Sequence, residues 1–372
     1  MLLATEQQLF NEAIRRHSEE KVSHYNKEQL MIMNSLFTKE YYQIRIILVL
    51  LMCFVSSVCF SQKAHKQQQK GRIDSLKTEA DVKAFMDGND DYFKSLEIIR
   101  IQEFTSIYSE VDYCQSMADS LGIEKSHYKT DFDDNGMTDL MVFARDRHFF
   151  QIFTFFSYPK DSIRINYFSR KYYSECEFPV VKKDGTIELT HLNDAHFSYD
   201  GFNWNFKGQK FTTSELIYNY GNFIERNLKP SSFNITKIEY TRSGCHGTCP
   251  MFSYTLIKDG NSKCHDMGYF FEESIIGGYY KTQIKNEQWE ELTSMLNYLD
   301  FQNLSEKYSL ESSHGIYADL TIFYNNGQQK KIADRGINGT FGLRQFHNLL
   351  LALRDNQDWN KLSKSDYDRV KH

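Results

Sequence analysis

The chain has 372 residues, a formal net charge of -5, and a composition that is 41% hydrophobic and 25% charged. That is a globular balance with length for about two domains, and a pI near 6.2 offers no basic field for nucleic acid. Aromatic residues reach 15% while proline occupies only 4 positions, a usage that suits β-rich structure with little disorder.

Ile46 to Phe60 is an unbroken apolar run, shorter than the roughly 20 residues of a spanning helix. Lys39 and Arg45 approach it, and Cys59-Phe60-Ser61 gives a small-x-small cleavage site before Gln62. The run reads as a secretory signal over about residues 33–61, beginning at Met31 or Met33, with residues 1–30 as an over-long start. An uncleaved membrane anchor is the alternative, favoured by the basic cluster Lys63, Lys66, Lys70 and Arg72. The expectation is an exported protein, periplasmic or of the outer envelope. Residues 62–74, polar and carrying Gln67-Gln68-Gln69 among lysines, read as a linker.

Residues 75–229 read as an N-terminal α+β domain. Val82, Phe85 and Met86, then Leu96, Ile99 and Phe104, follow helical spacing and predict two helices within 78–120. An acidic loop spans Asp131 to Asp139. Short β-type runs follow, separated by turn signals such as Pro159-Lys160-Asp161 and Lys183-Asp184-Gly185. They predict an antiparallel meander, because the connections are too short for crossovers. Ser214 is placed to cap a helix in which Leu216, Ile217, Tyr220, Phe223 and Ile224 share a face.

Lys229-Pro230-Ser231-Ser232 marks the domain boundary. Residues 233–356 read as a second α+β domain, again an antiparallel sheet with packed helices. Strands are predicted at Ile235 to Thr241, through Phe252, Tyr254 and Leu256, at Ser262 to Phe270 after the Asp259-Gly260 turn, and from Gly278 to Ile284. Asn286 is placed to cap a helix with Trp289, Leu292, Leu296 and Leu299 inward. A hairpin over Ala318 to Ala333 turns at Asn325-Asn326-Gly327. A last helix carries Phe346, Leu349, Leu350 and Leu353 on one stripe. Residues 357–372 read as a charged tail that frays after Trp359.

In the acidic loop Asp131, Asp133 and Asn135 alternate, Gly136 permits a tight turn, and Asp139 closes the set. Alternate side chains of such a loop converge on one point, and a hard cation such as Ca²⁺ takes several oxygens at about 2.3–2.6 Å. The Met137 carbonyl would add a ligand. The twelfth position is Val142, so the bidentate glutamate of an EF-hand is absent. The loop resembles the DxDxDGxxDL loops of FG-GAP and VCBS repeats, in which a strand follows at once. The bland alternative is a solvated turn without metal.

The segment Ser243 to Pro250 holds Cys245 and Cys249. Of seven cysteines, Cys53 and Cys59 fall in the apolar run, leaving Cys114, Cys176, Cys245, Cys249 and Cys264. Three readings stay open. A local Cys245–Cys249 disulfide suits an exported chain and would contribute roughly 2 kcal/mol while fixing the loop. A soft metal such as Zn²⁺ or Cu⁺ could instead gather Cys245, His246, Cys249, Cys264 and His265. The CxxxCP string looks like the copper site of the Sco family, although there it leads into a helix and here a strand follows. Third, Cys245 or Cys249 could act as a redox thiol with His246 as base.

The run from Ile238 to Tyr254, with Gly244-Cys245-x-Gly247-x-Cys249-Pro250 between two strands, resembles a bacterial family, domain of unknown function 6438, common in Bacteroidota. Asp259-Gly260, Gly278-Tyr279, Trp289 and Tyr308 fit the same layout, over about residues 233–356. The resemblance implies an exported protein without assigned activity and carries no catalytic residues. No HExxH, GxSxG or P-loop string occurs, and Gly336, Gly339 and Gly342 read as turn and cap residues. The expectation is a non-catalytic binding or structural module. The aromatic run 149–173 could serve as a face for an envelope protein, a peptide or a glycan. A thiol-redox or soft-metal protein is the alternative.

Overall fold

The computed structural model describes residues 71–370, apart from 102–110, 147–149, 169–176, 194–195, 200–203, 208–209, 245–248, 270–276 and 310–314. The chain divides into two compact units, Met1–Gln68 and Gln69–His372, and the described residues all belong to the second. The apolar run 46–60 and residues 62–70 therefore lie outside the described residues. No helix among the described residues is long and apolar enough to cross a membrane.

The described chain is mainly antiparallel sheet with a few helices. Arg72–Ser75 forms a 3-10 turn with Ile73 fully buried, so the end of the expected linker is already core. Helix α1 (Glu79–Asp87) starts with a reciprocal cap, Thr78 accepting the Asp81 N–H while Asp81 accepts the Thr78 N–H. Its Val82, Phe85 and Met86 are buried as the spacing predicts. The second helix is displaced from expectation. Leu96 ends a 3-10 turn and β1 (Glu97–Ile98) follows, while α2 is Val111–Leu121.

The first sheet adds β2 (His127–Thr130), β3 (Asp139–Arg145), β4 (Phe150–Tyr158) and β5 (Ser162–Tyr167) in the order β1-β3-β4-β5, with β2 also on β3. It is covered on both faces. Leu140, Val142, Ala144, Phe153 and Phe155 face α1. Met141, Phe143, Ile152 and Phe156 face a second core. The meander expected here is thus interrupted, and a second sheet begins with β6 (Glu177–Val181) and β7 (Ile187–Asn193). The pair β8 (His196–Tyr199) and β9 (Trp204–Lys207) stands as a two-stranded ribbon. Then β10 (Lys210–Asn219) and β11 (Asn222–Glu225) complete the order β11-β10-β7-β6.

That last hairpin overturns the helix expected from Ser214. Leu216, Tyr218 and Phe223 pack into the core of the second sheet. Ile217, Tyr220 and Ile224 pack into the core of the following one. A strand pair buried on both faces has no polar alternation, and its apolar residues then mimic helical spacing. The turn settles the conformation: Tyr220 and Gly221 have φ 49° and 80°, the left-handed pair of a two-residue hairpin.

The third sheet has eight strands. In chain order they are β12 (Ile235–Gly244), β13 (Pro250–Ile257), β14 (Asn261–Tyr269), β15 (Gly278–Gln283), β16 (Lys307–Ser309), β17 (Ile316–Tyr324), β18 (Gln328–Arg335) and β19 (Asn360–Leu362). Across the sheet the order is β16-β18-β17-β12-β13-β14-β15-β19. All neighbours are antiparallel except β16 with β18. Helices α3 (Asn286–Tyr298) and α4 (Phe341–Asn356) cover its inner face. Asn286 is the first helical residue rather than the cap, which is Lys285. The expected fraying tail is instead ordered: Asn360–Leu362 pairs with β15, and Ser363 caps α5 (Lys364–Arg369). Charged side chains here line an edge strand and an exposed helix, a pattern that composition alone does not distinguish from a tail.

Candidate functional site

Two places carry concentrated polar chemistry. The first is the acidic loop between β2 and β3. Asp134 and Gly136 have φ 55° and 87°, which bends the chain back on itself. Asp131 holds the bend from inside: its Oδ1 accepts the Asn135 N–H at 3.1 Å and its Oδ2 the Gly136 N–H at 2.7 Å. Asn135 braces it from outside, accepting the Met137 N–H at 2.7 Å and donating to the Ser157 carbonyl at 2.8 Å. Asp139, fully buried, accepts from Phe132 N–H at 2.9 Å and Ser157 N–H at 2.8 Å. Thr138 ties the loop to the chain start through Asp74 at 2.7 Å.

This scaffold brings Asp131, Asp133 and Asp139 together: one ligand oxygen from each lies within 4.8 Å of the others. Oxygens about 2.3–2.6 Å from a shared Ca²⁺ stand at most about 5 Å apart, so the spacing of the three is within the range that one ion allows. Burial, ahead of the repulsion from Asp133 and Asp131, pushes the Asp139 carboxyl up to about 7, although its two backbone donors pull the other way. Burial also raises Asp133, against a hydrogen bond from Tyr158. Of the five positions singled out from sequence, three carboxylates converge. Asn135 and Met137 serve the turn itself, and the Met137 side chain is buried.

At the cysteine loop, Cys245 and His246 lie outside the described residues. Cys249 is half-buried and disulfide-bonded. Cys264 is a free, buried cysteine in the core of the third sheet. Burial first, then Asp266, pushes its thiol up to about 12, with Arg354 opposing. Its strand neighbour His265 stacks on Tyr279 at 4.4 Å, on the opposite face. Cys264 pairs with Tyr254, four positions along β13 from Pro250, or about 13 Å from the loop. Of the proposed soft-metal set, Cys264 and His265 do not converge on a common ion, because alternation sends the thiol into the core and the imidazole to the opposite face.

The second place was not read from sequence. Asp334, at the end of β18, and His347, on α4, are 0% and 1% exposed, with His347 Nε2 at 3.2 Å from Asp334 Oδ2. Asp334 also accepts N–H groups from Asn338 at 2.7 Å and Gly339 at 3.1 Å, which fixes the turn into α4. The His347 ring stacks on Tyr240 at 5.5 Å. Arg242 follows two residues along the same face of β12. The available signal was the i, i+2 pair Tyr240 and Arg242 in an otherwise apolar strand face.

Comparison with curated proteins gave no match, and comparison with solved structures gave none either. Residues 236–354, about a third of the chain, match the family model described as Domain of unknown function (DUF6438); the match spans β12 to β18, seven of the eight strands of the third sheet, with α3 and nearly all of α4.

Proposed function

We propose that this protein is a non-catalytic, exported binding or structural module of the cell envelope, in which the acidic loop takes Ca²⁺. The observation that carries the reading is the convergence of Asp131, Asp133 and Asp139 on one point within a loop already fixed by backbone hydrogen bonds. Three carboxylates so close repel one another, a repulsion relieved either by a proton on Asp139 or by a cation between them. The Met137 carbonyl, and Asn135 Oδ1 through the lone pair that its bond from the Met137 N–H leaves, are the neutral oxygens that would complete the shell. The ion would hold the β2–β3 connection and do no chemistry on a substrate.

Export is supported by the apolar run at Ile46 to Phe60 and by the disulfide at Cys249. We take Cys245 as its partner, which would close the loop between β12 and β13. The division near residue 230 belongs to the same reading, with the C-terminal sheet as one domain and the two N-terminal sheets as another. A peptide, glycan or envelope protein is the class of partner.

The test is calorimetric titration of Ca²⁺ into chelator-treated protein, with Asp133→Asn beside it. One-site binding with a rise in Tm, lost in the variant, is expected. No heat and no change in Tm at millimolar Ca²⁺ would overturn the reading.

A further inference from the structure

Arg242 lies on the face of β12 that the helices cover: Ile238, Tyr240 and Arg242 are 0%, 1% and 8% exposed. Its neighbours across the sheet are Phe252 and Ala318, neither of them charged. The next residues in that row are Asp266 beyond Phe252 and Asp334 beyond Ala318. Each is two strands away, about 10 Å between backbones. Both are engaged elsewhere. Asp266 pairs with Arg354 at 2.8 Å, and Asp334 holds Asn338, Gly339 and His347. Among the described residues Arg242 makes no ion pair.

A guanidinium so far withdrawn from water without a counter-charge is a costly arrangement. The atoms around it share the deficit. Arg242 Nε and His347 Nδ1 are enclosed without a hydrogen-bond partner, and the Tyr240 hydroxyl is enclosed without an acceptor. The hydroxyl lies in the field of both Arg242 and Asp334, and the Tyr240 ring rests on His347. The Arg242 guanidinium reaches the Tyr240 hydroxyl oxygen, and this leaves the Arg242 Nε–H and the Tyr240 O–H as donors on one strand face beside a single positive charge, with no acceptor for them among the described residues.

We propose that Arg242 and Tyr240 form an anion-binding site in the inner face of the third sheet, and that its ligand is a carboxylate. Guanidinium and carboxylate meet as planar forks, two N–H groups to two oxygens, and the Tyr240 hydroxyl supplies a third donor. The charge balance selects the class. One arginine neutralises one carboxylate, whereas a phosphate dianion would bring a second negative charge between Asp334 and Asp266 with no further cation to meet it. The site is separate from the acidic loop and stands whether or not that loop takes Ca²⁺.

The test uses the full chain at constant ionic strength set with sodium chloride. Sodium acetate, N-acetylglycine and phosphate are titrated separately, read by Tm and by calorimetry, on wild type, Tyr240→Phe and Arg242→Met. Both carboxylates are expected to raise Tm and phosphate to do less. Tyr240→Phe, which keeps the ring and removes only the hydroxyl, should fold and bind about tenfold more weakly. Arg242→Met should lose the response. N-acetylglycine binding far more tightly than acetate would assign a peptide C-terminus, and equal binding a small organic acid. No response to either carboxylate, a phosphate response as large, or a full response in Arg242→Met would overturn the proposal. Should Arg242→Met fail to fold, unchanged affinity in Tyr240→Phe would overturn it equally.

Discussion

Glu225 caps a helix that begins 116 residues later in the chain: one carboxylate oxygen accepts the Phe341 N–H at 2.7 Å and the other the Gly342 N–H at 2.8 Å. The first amides of any helix lack intrahelical partners, and the first turn of α4 has no acidic residue of its own. Thr340 satisfies Leu343 N–H at 3.0 Å, and Glu225 supplies both the remaining acceptors and the charge that suits a helix start. Gly342 leaves the room for this, since a Cβ there would collide with the Leu299 side chain and come within 3.2 Å of Glu225 Oε2. Glu225→Gln keeps one acceptor, turns an NH₂ group toward an amide and removes the charge. It should cost about 1–2 kcal/mol in urea unfolding, and Glu225→Ala more. A variant as stable as wild type would mean that solvent serves those amides equally well.

The β10–β11 hairpin makes the same joint apolar. Ile224 is part of the core of the third sheet, with Ile217 and Tyr220 packed against it, so residues 236–354 do not close that core alone. A fragment of residues 231–372 should therefore bind a hydrophobic dye and unfold at a lower temperature than residues 71–372. Equal Tm and no dye binding would show that the hairpin merely rests against the sheet.

What was legible in the sequence follows one physical division. Elements with one wet face announced themselves. Phe252, Tyr254 and Leu256 alternate and are buried, Trp289 and Leu296 fall on the inner stripe of α3, and Asn325-Asn326-Gly327 turns with φ of 40°, 62° and 97°. Elements without a wet face did not, because residues 210–225 lie between two cores and lose the alternation that marks a strand. The acidic loop was legible because its ligands are close in sequence. Asp334, His347 and Arg242 were not, since they come into one neighbourhood only once β12, β18 and α4 are packed. Ile73 and the β19–α5 segment were misread because short ordered pieces flanked by charge have the composition of linkers.

Asp133 and Asp139 should separate structure from cation binding. Asp139 is buried and receives two backbone N–H groups, so Asp139→Asn leaves one of them facing an NH₂ group. That should cost about 1–3 kcal/mol even with chelator present. Asp133 accepts only a long bond from Asn135, 3.3 Å, among backbone donors. Asp133→Asn should leave Tm in chelator nearly unchanged and remove the rise in Tm produced by Ca²⁺. If the two variants behave alike in chelator, the loop is not held by the bonds described.

Cys264 offers the pH test. Its thiol is shifted upward from 9 to about 12, first by burial and then by the nearby Asp266. A raised value means that the folded state keeps the proton more tightly than the unfolded one. The contribution to stability is thus whole below about pH 9 and drains away as pH rises from 9 toward 12. The difference in unfolding free energy between wild type and Cys264→Ala should be flat from pH 7 to 9 and shrink above it. The same burial keeps the sulfur in its unreactive form. In peptide mapping after iodoacetamide treatment at pH 8, Cys264 should stay unmodified in the native protein and react once guanidinium chloride is added. Rapid native modification at this position would place the thiol at the surface and return it to the set of groups available for redox chemistry.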